Sequence, residues 1–514
     1  MDSCFLAVGY LYWGVFIAQG IVRRYHMSIL ASLKRLTKHS AIYGIGHIIS
    51  RVVNFLLLPL YTNQLPAAEF GAQAVVYAFL AVMTIIYTYG IDAAFLRYFI
   101  LSDDPNKRRR VFSTAFWAVF IVAIALTCGI YNYDTEISAL LISEGDYSHL
   151  IRLTSLILLF DALSFLPFLF LRAEERSVSY TVLKFANVVI NVMLNLYYLL
   201  YLNKGVEGIL LANAWASGLT FLILSYILLR NISFQFSLVD FKALASFGLP
   251  FLPSTLSVVL LDLIDRPLME KLAGLDATGV YNAGAKLGMF MALLVTAFRF
   301  AWHPFFLSTS KQDNAKEVFS KVLTYFTTLG AFIFLCLSFF IEDIARLNIG
   351  GFSLIGEAYW DGIRVVPLIL LSYVFYGMYV NFVVGIYLKE KTKYLPLITI
   401  VGTIANIVVN LMLIPRIGIM GAGWARLVGH LSMCVMLYFA ARRFYKVDYE
   451  FARLLKLGAI VMPIFFIGYN IEGIWEIATK VGLLLAMPLL LYGTGFFEKR
   501  EMVALKSMLN LNRS

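Results

Sequence analysis

Residues 394–440 read YLPLITIVGTIANIVVNLMLIPRIGIMGAGWARLVGHLSMCVMLYFA. Two apolar runs, 394–414 and 419–440, flank a Pro-Arg-Ile-Gly turn. Each is long enough to cross a bilayer as a helix, which takes about 20 residues. Windows of the same kind recur outward from this pair. Before it they fall near 40–61, 72–99, 111–131, 149–171, 178–202, 208–229, 246–266, 279–302, 321–341 and 362–387, and after it near 455–470 and 477–496. The pattern predicts an all-α integral membrane protein of about fourteen transmembrane helices joined by short connections.

Composition agrees. Of 514 residues, 61% are hydrophobic and only 14% charged, against about 25% charged in an ordinary soluble domain. No stretch of about 50 residues, the least an independent domain needs, escapes the apolar windows. The net charge of +11 comes from short Lys and Arg clusters between apolar runs, the pattern of cytoplasmic loops, so no nucleic-acid partner is expected. Cys4, Cys128, Cys336 and Cys434 are scattered singly without metal-ligand spacing.

The basic clusters also orient the chain. Lys34, Arg35 and Lys38, then Lys107 to Arg110, Arg172 and Arg176, Lys389 to Lys393, Arg442 to Lys446, and Lys499 with Arg500 all fall on one side of the predicted alternation. The opposite connections are nearly free of basic residues and include Asp134, Glu136, Glu144 and Asp146. Both ends of the fourteen-span core are therefore expected in the cytoplasm. Residues 1–26 have two readings. Cys4 to Val22 is apolar with Arg23 and Arg24 after it, which reads as an extra span with its N-terminus outside; the other reading starts translation at Met27, and the charge pattern favours it.

The chain also repeats itself. Asn187-Val-Val-Ile-Asn191-Val-Met-Leu returns as Asn406-Ile-Val-Val-Asn410-Leu-Met-Leu. Each is followed by a glycine turn, Gly205-Val-Glu-Gly208 or Gly418-Ile-Met-Gly421, and then by Trp215 or Trp424. Earlier, Glu69-Phe-Gly71 and Thr278-Gly279-Val-Tyr281 each precede a long span. The expected organisation is a six-helix bundle over 27–245, a second over 246–445 in the same orientation, and two extra helices with a tail over 446–514.

With the opening Lys38 to Thr62, which holds Gly44, Gly46, Arg51 and Pro59, these motifs carry a family resemblance. The others are Gly279-Val-Tyr-Asn-Ala-Gly284 and the Asn-rich helix running from Asn410 through Pro-x-x-Gly-x-x-Gly-Ala. From about residue 27 to the end, the chain resembles the Wzx-type polysaccharide flippases, of the superfamily that holds the MATE drug exporters and the MurJ lipid II flippases. The resemblance implies a V-shaped pair of bundles that alternates access. Its substrate would be an undecaprenyl-pyrophosphate-linked oligosaccharide, carried from the inner to the outer leaflet of a prokaryotic cytoplasmic membrane. Membrane lipids, a polysaccharide polymerase and chain-length machinery are the other partners it implies.

Such a task calls for cations inside the bundle, since charge enters the bilayer only at a cost of several kcal/mol. Arg51 lies midway along the first span, Arg97 near the inner end of the second, Lys286 and Arg299 on the eighth and Arg426 on the twelfth. In the resembling family the first, second, seventh and eighth helices line the cavity, which makes Arg51, Arg97, Lys286 and Arg299 the candidates for pyrophosphate. The competing reading for each is snorkelling or pairing with an acid. Among the acids, Asp262 and Arg266 are four apart and read as a structural pair. Asp92 has no partner on its own helix face and is the candidate for coupling to H+ or Na+; no other cofactor is expected. Asn54, Asn187, Asn191, Asn282 and Asn406 read first as helix-to-helix hydrogen bonds, and Tyr and Trp as interfacial residues.

Two rival functions stand beside this one. A membrane glycosyltransferase or polymerase would need a sizeable loop with an acid or His constellation, and the longest connections, 132–148 and 342–361, are short. A MATE-like exporter of cationic drugs would want a net-acidic cavity. The chain thus reads as a secondary transporter rather than an enzyme.

Overall fold

The structure is a computed structural model that describes residues 55–349 and 351–498. The segment 1–26, most of the first expected span and Arg51 lie outside the described residues. Among those described, twelve helical stretches are long and apolar enough to cross a membrane. One of them, residues 238–309, takes in both the seventh and the eighth expected spans. The chain is a multi-pass membrane protein.

The first half runs through α1 (Leu58–Gln64), α2 (Ala67–Thr88), α3 (Ile91–Ile100), α4 (Pro105–Asn132), the short α5 (Asp134–Leu141), α6 (Ser148–Ala173), α7 (Ser177–Leu196) and α8 (Gly205–Asn231). The expected second span is broken where Tyr89 and Gly90 adopt φ values of 33° and 75°, which separates α2 from α3. Asp104 caps α4 by accepting a hydrogen bond from the Asn106 amide at 2.9 Å, with Pro105 at the first helical position, where its missing N–H costs nothing.

The second half opens with α9 (Leu238–Gly248) and continues through a 3-10 segment, Leu249–Phe251, into α10 (Leu252–Leu263) and α11 (Asp265–Thr309). α11 is interrupted at Gly274, whose φ of 85° turns the chain back. Next come α12 (Ala315–Arg346), a two-residue antiparallel pairing of β1 (Asn348–Ile349) with β2 (Phe352–Ser353), and a 3-10 segment, Glu357–Val365. The chain ends in α13 (Val366–Leu388), α14 (Tyr394–Ile417), α15 (Ile419–Phe444), α16 (Phe451–Tyr469) and α17 (Glu476–Gly493). The two repeat turns adopt the same backbone: Gly205 and Gly418 have φ of 54° and 57°, and each stands at the start of the following helix, α8 or α15.

Two hydrophobic cores follow the halves. One is drawn wholly from residues between Ala72 and Leu244. The other takes most of its members from Leu261 to Phe496 and recruits Leu57, Leu58, Tyr61, Leu65, Phe70, Leu199 and Ile209 from the first half. Apolar packing therefore holds each half together, and the seam between them is where polar groups collect.

Candidate functional site

At the end of the molecule expected, from the basic-residue pattern, to lie outside, the halves meet through glycine. A Cβ on Gly71 of α2 would stand 2.0 Å from the Leu275 carbonyl oxygen of α11, and one on Gly279 of α11 would stand 2.0 Å from the Ala67 carbonyl oxygen of α2. The two repeat-related glycines thus cross each other, at a separation that tolerates no side chain. Around this crossing, Glu270 is 3% exposed and accepts the Ser143 amide at 2.5 Å. The Gly356 amide donates to Thr62 Oγ1 at 3.1 Å, and the Tyr359 hydroxyl donates to the Leu65 carbonyl at 2.8 Å. Farther inward a second crossing, Gly90 against Gly248, brings α3 and α9 together.

The cavity begins one turn inward from the outer crossing. It has a volume of about 520 Å³ and lies between the halves. Its first-half wall presents Gln73 and Tyr77 of α2, Asn187 and Asn191 of α7 and Asn213 of α8; its second-half wall presents Arg266, Asn282 and Lys286 of α11. No described lining residue is Asp or Glu. Lys286 Nζ lies over the rings of Phe70 and Tyr61, at 4.7 and 5.4 Å from their centroids, a contact worth about 0.5–2 kcal/mol. It has no carboxylate partner among the described residues.

Arg266 is held from behind. Its guanidinium donates to Asp265 Oδ1 at 2.5 Å and to the main-chain carbonyl of Asp262. Asp265, fully buried, also accepts from Arg426 of α15 at 2.8 Å and from the Tyr281 hydroxyl. Arg426 is 2% exposed and donates to the same Asp262 carbonyl. One buried carboxylate thus bridges two guanidiniums from α11 and α15, and this cluster aims Arg266 at the cavity. His430, one turn along α15, approaches Asp262 at 3.9 Å.

The pairing expected between Arg266 and Asp262 is therefore corrected: the carboxylate that Arg266 pairs with is that of Asp265. The i, i+4 register itself survives, since Ile264 keeps helical φ and ψ of −64° and −22° and the Arg266 guanidinium still reaches the Asp262 main-chain carbonyl; the charge is neutralised instead by the fully buried Asp265, which Arg426 also contacts.

Of the other residues singled out in the sequence, Arg97 is exposed and stacks on Phe247 at 4.6 Å, away from the cavity wall. Arg299 lines a separate space of about 230 Å³ with Trp302, His303 and Tyr376. Asp92 is exposed on α3. Of the asparagines, Asn187 donates to Thr220 at 2.9 Å, a helix-to-helix bond, while Asn410 donates to Asn406 of its own helix at 3.0 Å. Among the described residues no group of three or more His, Cys, Asp or Glu side chains could hold a metal. Sequence reasoning did not count Arg266 among the site residues and missed the bridge by which buried Asp265 joins it to Arg426, for which no local signal exists, since Arg426 lies 161 residues from Asp265.

Comparison with known proteins bears on the family and the fold. The chain is similar to the Lsg locus putative protein 1 of Haemophilus influenzae, 22% identical over 423 residues that span 79% of this chain and 98% of that one. Its fold is similar to that of a lipid II flippase, MurJ, in an inward closed conformation, with a TM-score of 0.71 at 13% identity over 88% of this chain and 99% of that one. It is also similar to an inward-facing multidrug resistance MATE family transporter, with a TM-score of 0.62 at 15% identity over 76% and 94% of the two chains. Residues 36–310, more than half of the sequence, match the family described as polysaccharide biosynthesis protein. The chain belongs to that family, on the fold shared by these flippases and exporters.

Proposed function

We propose that the protein is a flippase that moves undecaprenyl-pyrophosphate-linked repeat units from the inner to the outer leaflet of a prokaryotic cytoplasmic membrane, for surface polysaccharide synthesis. The observation that supports this most is the cavity between the halves, with Arg266 and Lys286 on one wall and no described acid in its lining. A guanidinium binds phosphate oxygens in pairs and an ammonium binds them as a point charge. Such a wall suits an anionic pyrophosphate and disfavours the cationic drugs that a MATE-like exporter would carry. The family's tie to polysaccharide biosynthesis supports the saccharide part of the substrate, and the fold shared with a lipid II flippase supports the lipid-linked part.

In this reading both core termini are cytoplasmic, and Arg51, Arg97 and Arg299 serve the substrate's path. H+ or Na+ provides the drive, with Asp92 as the coupling residue, and polymerase and chain-length proteins take over the product.

The test is made in a strain lacking the protein, by extracting lipid-linked oligosaccharides and measuring surface polymer. The lipid-linked unit is expected to accumulate while surface polymer is lost. Restoring Lys286→Met at equal expression leaves export about 10-fold or more below wild type, since a charge-assisted hydrogen bond to phosphate contributes about 1.5–3 kcal/mol; Lys286→Arg recovers most of it. Arg51→Ala and Arg299→Ala, tested alongside, report on the other cations. Normal polymer with no accumulation in the deletion strain overturns the flippase reading and brings drug export forward.

A further inference from the structure

The two walls of the cavity differ in chemistry. Both cations in the described lining, Arg266 and Lys286, come from α11 of the second half. The first-half wall offers uncharged hydrogen-bonding groups instead: the amides of Gln73, Asn187, Asn191 and Asn213 and the phenol of Tyr77. Several of these are already oriented by protein partners. Asn187 donates to Thr220 at 2.9 Å, Asn213 donates to the Tyr77 hydroxyl at 3.2 Å, and Asn191 Oδ1 accepts from Asn195 at 2.7 Å. Gln73 is the exception. Its side chain is 4% exposed, it lines the cavity, and its buried Oε1 has no hydrogen-bond partner among the described residues.

A buried carbonyl oxygen without a donor is costly and rare in folded proteins. At the edge of a cavity it asks for a donor from the occupant. A pyrophosphate, which presents only acceptor oxygens, cannot supply one; a sugar hydroxyl can. Amides give a donor and an acceptor from one planar group, which suits neighbouring hydroxyls, and a ring such as Tyr77 offers a face to the C–H side of a pyranose. Along α7, Asn187 and Asn191 are one turn apart and share a face, so the amides form a vertical strip facing the cations.

From this asymmetry we infer that the cavity divides recognition between its walls: α11 holds the pyrophosphate, and the amide wall of α2, α7 and α8, with Gln73 at its centre, reads the first sugars of the glycan. Gln73, Asn187 and Asn213 are specificity-determining residues for the saccharide, and they leave the lipid pyrophosphate itself untouched. The inference rests on the flippase reading and narrows it. It also explains how one fold could serve different glycans: neutral side chains on the first-half wall can change while the charged wall stays the same. A site built to hydrogen-bond a hydroxyl discriminates strongly against a ligand that lacks it.

The experiment uses the full chain purified into lipid nanodiscs and two probes. One is undecaprenyl pyrophosphate without sugar; the other is the lipid-linked oligosaccharide extracted from the deletion strain. Gln73→Met is the informative variant, because it removes an oxygen that no described group satisfies and keeps the side chain's length, so folding is expected to be preserved. Gln73→Met is expected to bind the bare undecaprenyl pyrophosphate as wild type does and to bind the oligosaccharide-bearing probe about three- to tenfold more weakly, the loss of one hydrogen bond. Asn213→Leu, as a second variant, is expected to show the same split. Lys286→Met should weaken both probes by a similar factor. Equal weakening of both probes by Gln73→Met and Asn213→Leu, or no weakening of either, overturns the division of labour. Failure of the flippase reading looks different: wild type then binds neither probe.

Discussion

Gly279→Leu is expected to abolish export, and Gly71→Leu to do the same, while Gly458→Leu should leave it intact. The first two glycines sit where α2 and α11 cross, each with room for no Cβ: the nearest obstacle is a backbone carbonyl oxygen 2.0 Å away, Ala67 for Gly279 and Leu275 for Gly71. A flexible side chain could swing aside from an intruding methyl, but a helix backbone cannot. The helices must separate by an ångström or more, which breaks the surrounding bonds from Gly356 to Thr62 and from Tyr359 to Leu65. Forced overpacking costs about 1–3 kcal/mol where side chains can adjust, and more where they cannot. Gly458 on α16 has nothing within 4 Å of its would-be Cβ, so it controls for the residue change itself. The measurement is surface polymer and lipid-linked intermediate in the complemented deletion strain, with membrane protein level determined by immunoblot. The outer crossing belongs to the transport cycle if Gly279→Leu protein accumulates at wild-type level yet export falls at least about 10-fold, as backbone overpacking predicts. Full export from that variant sinks the crossing as a required contact.

That crossing also marks the boundary of what the sequence makes legible. The spans could be read because a run of about 20 apolar residues is a local property that the bilayer demands wherever it occurs. The repeat could be read because Asn187-Val-Val-Ile-Asn191 and Asn406-Ile-Val-Val-Asn410 are near copies, and their glycine turns do share one backbone conformation. Gly71 and Gly279 could be recognised as counterparts. Nothing in their separate contexts says that they touch each other, since that contact depends on how two halves dock. Lys286 was legible as a cation far from a predicted interface and does line the cavity. Arg266 was not, because the i, i+4 rule assigned it to Asp262. That spacing does bring the guanidinium to the Asp262 main-chain carbonyl, but the carboxylate next door, Asp265, takes the charge. Arg426 was seen as an intramembrane cation, but its partner comes from α11, 161 residues away, beyond the reach of any helical spacing rule. Arg97 and Arg299 follow the same pattern: their depth could be estimated from position along a span, whereas the direction each side chain faces is fixed by neighbours.

Arg426→Met is expected to destabilise the protein more than any cavity variant does. Arg426 and Asp265 are both essentially sealed from solvent, and truncating one member of a buried pair costs about 3–5 kcal/mol where it strands the other's charge, an upper bound here because a second cation stands by. Arg266 remains beside Asp265 in the variant, so the carboxylate keeps one partner, but its second oxygen retains only the Tyr281 hydroxyl. The Asp262 carbonyl likewise keeps only the Arg266 guanidinium of its two side-chain donors, which loosens the start of α11 and with it the position of Arg266 at the cavity wall. The check is a double-mutant cycle on thermal unfolding of purified protein, comparing Arg426→Met, Asp265→Asn and the pair together. Asp265→Asn alone leaves two buried guanidiniums facing each other without a carboxylate, and removing Arg426 as well relieves that repulsion, so the double variant should lose clearly less stability than the two singles added together, while export stays low because Arg266 has lost its anchor. If the double variant is as unstable as the sum of the two singles, the residues act independently and the bridge does not hold the helices together. If stability and export recover together, the cluster is a packing feature and Arg266 does not depend on it for its place in the cavity.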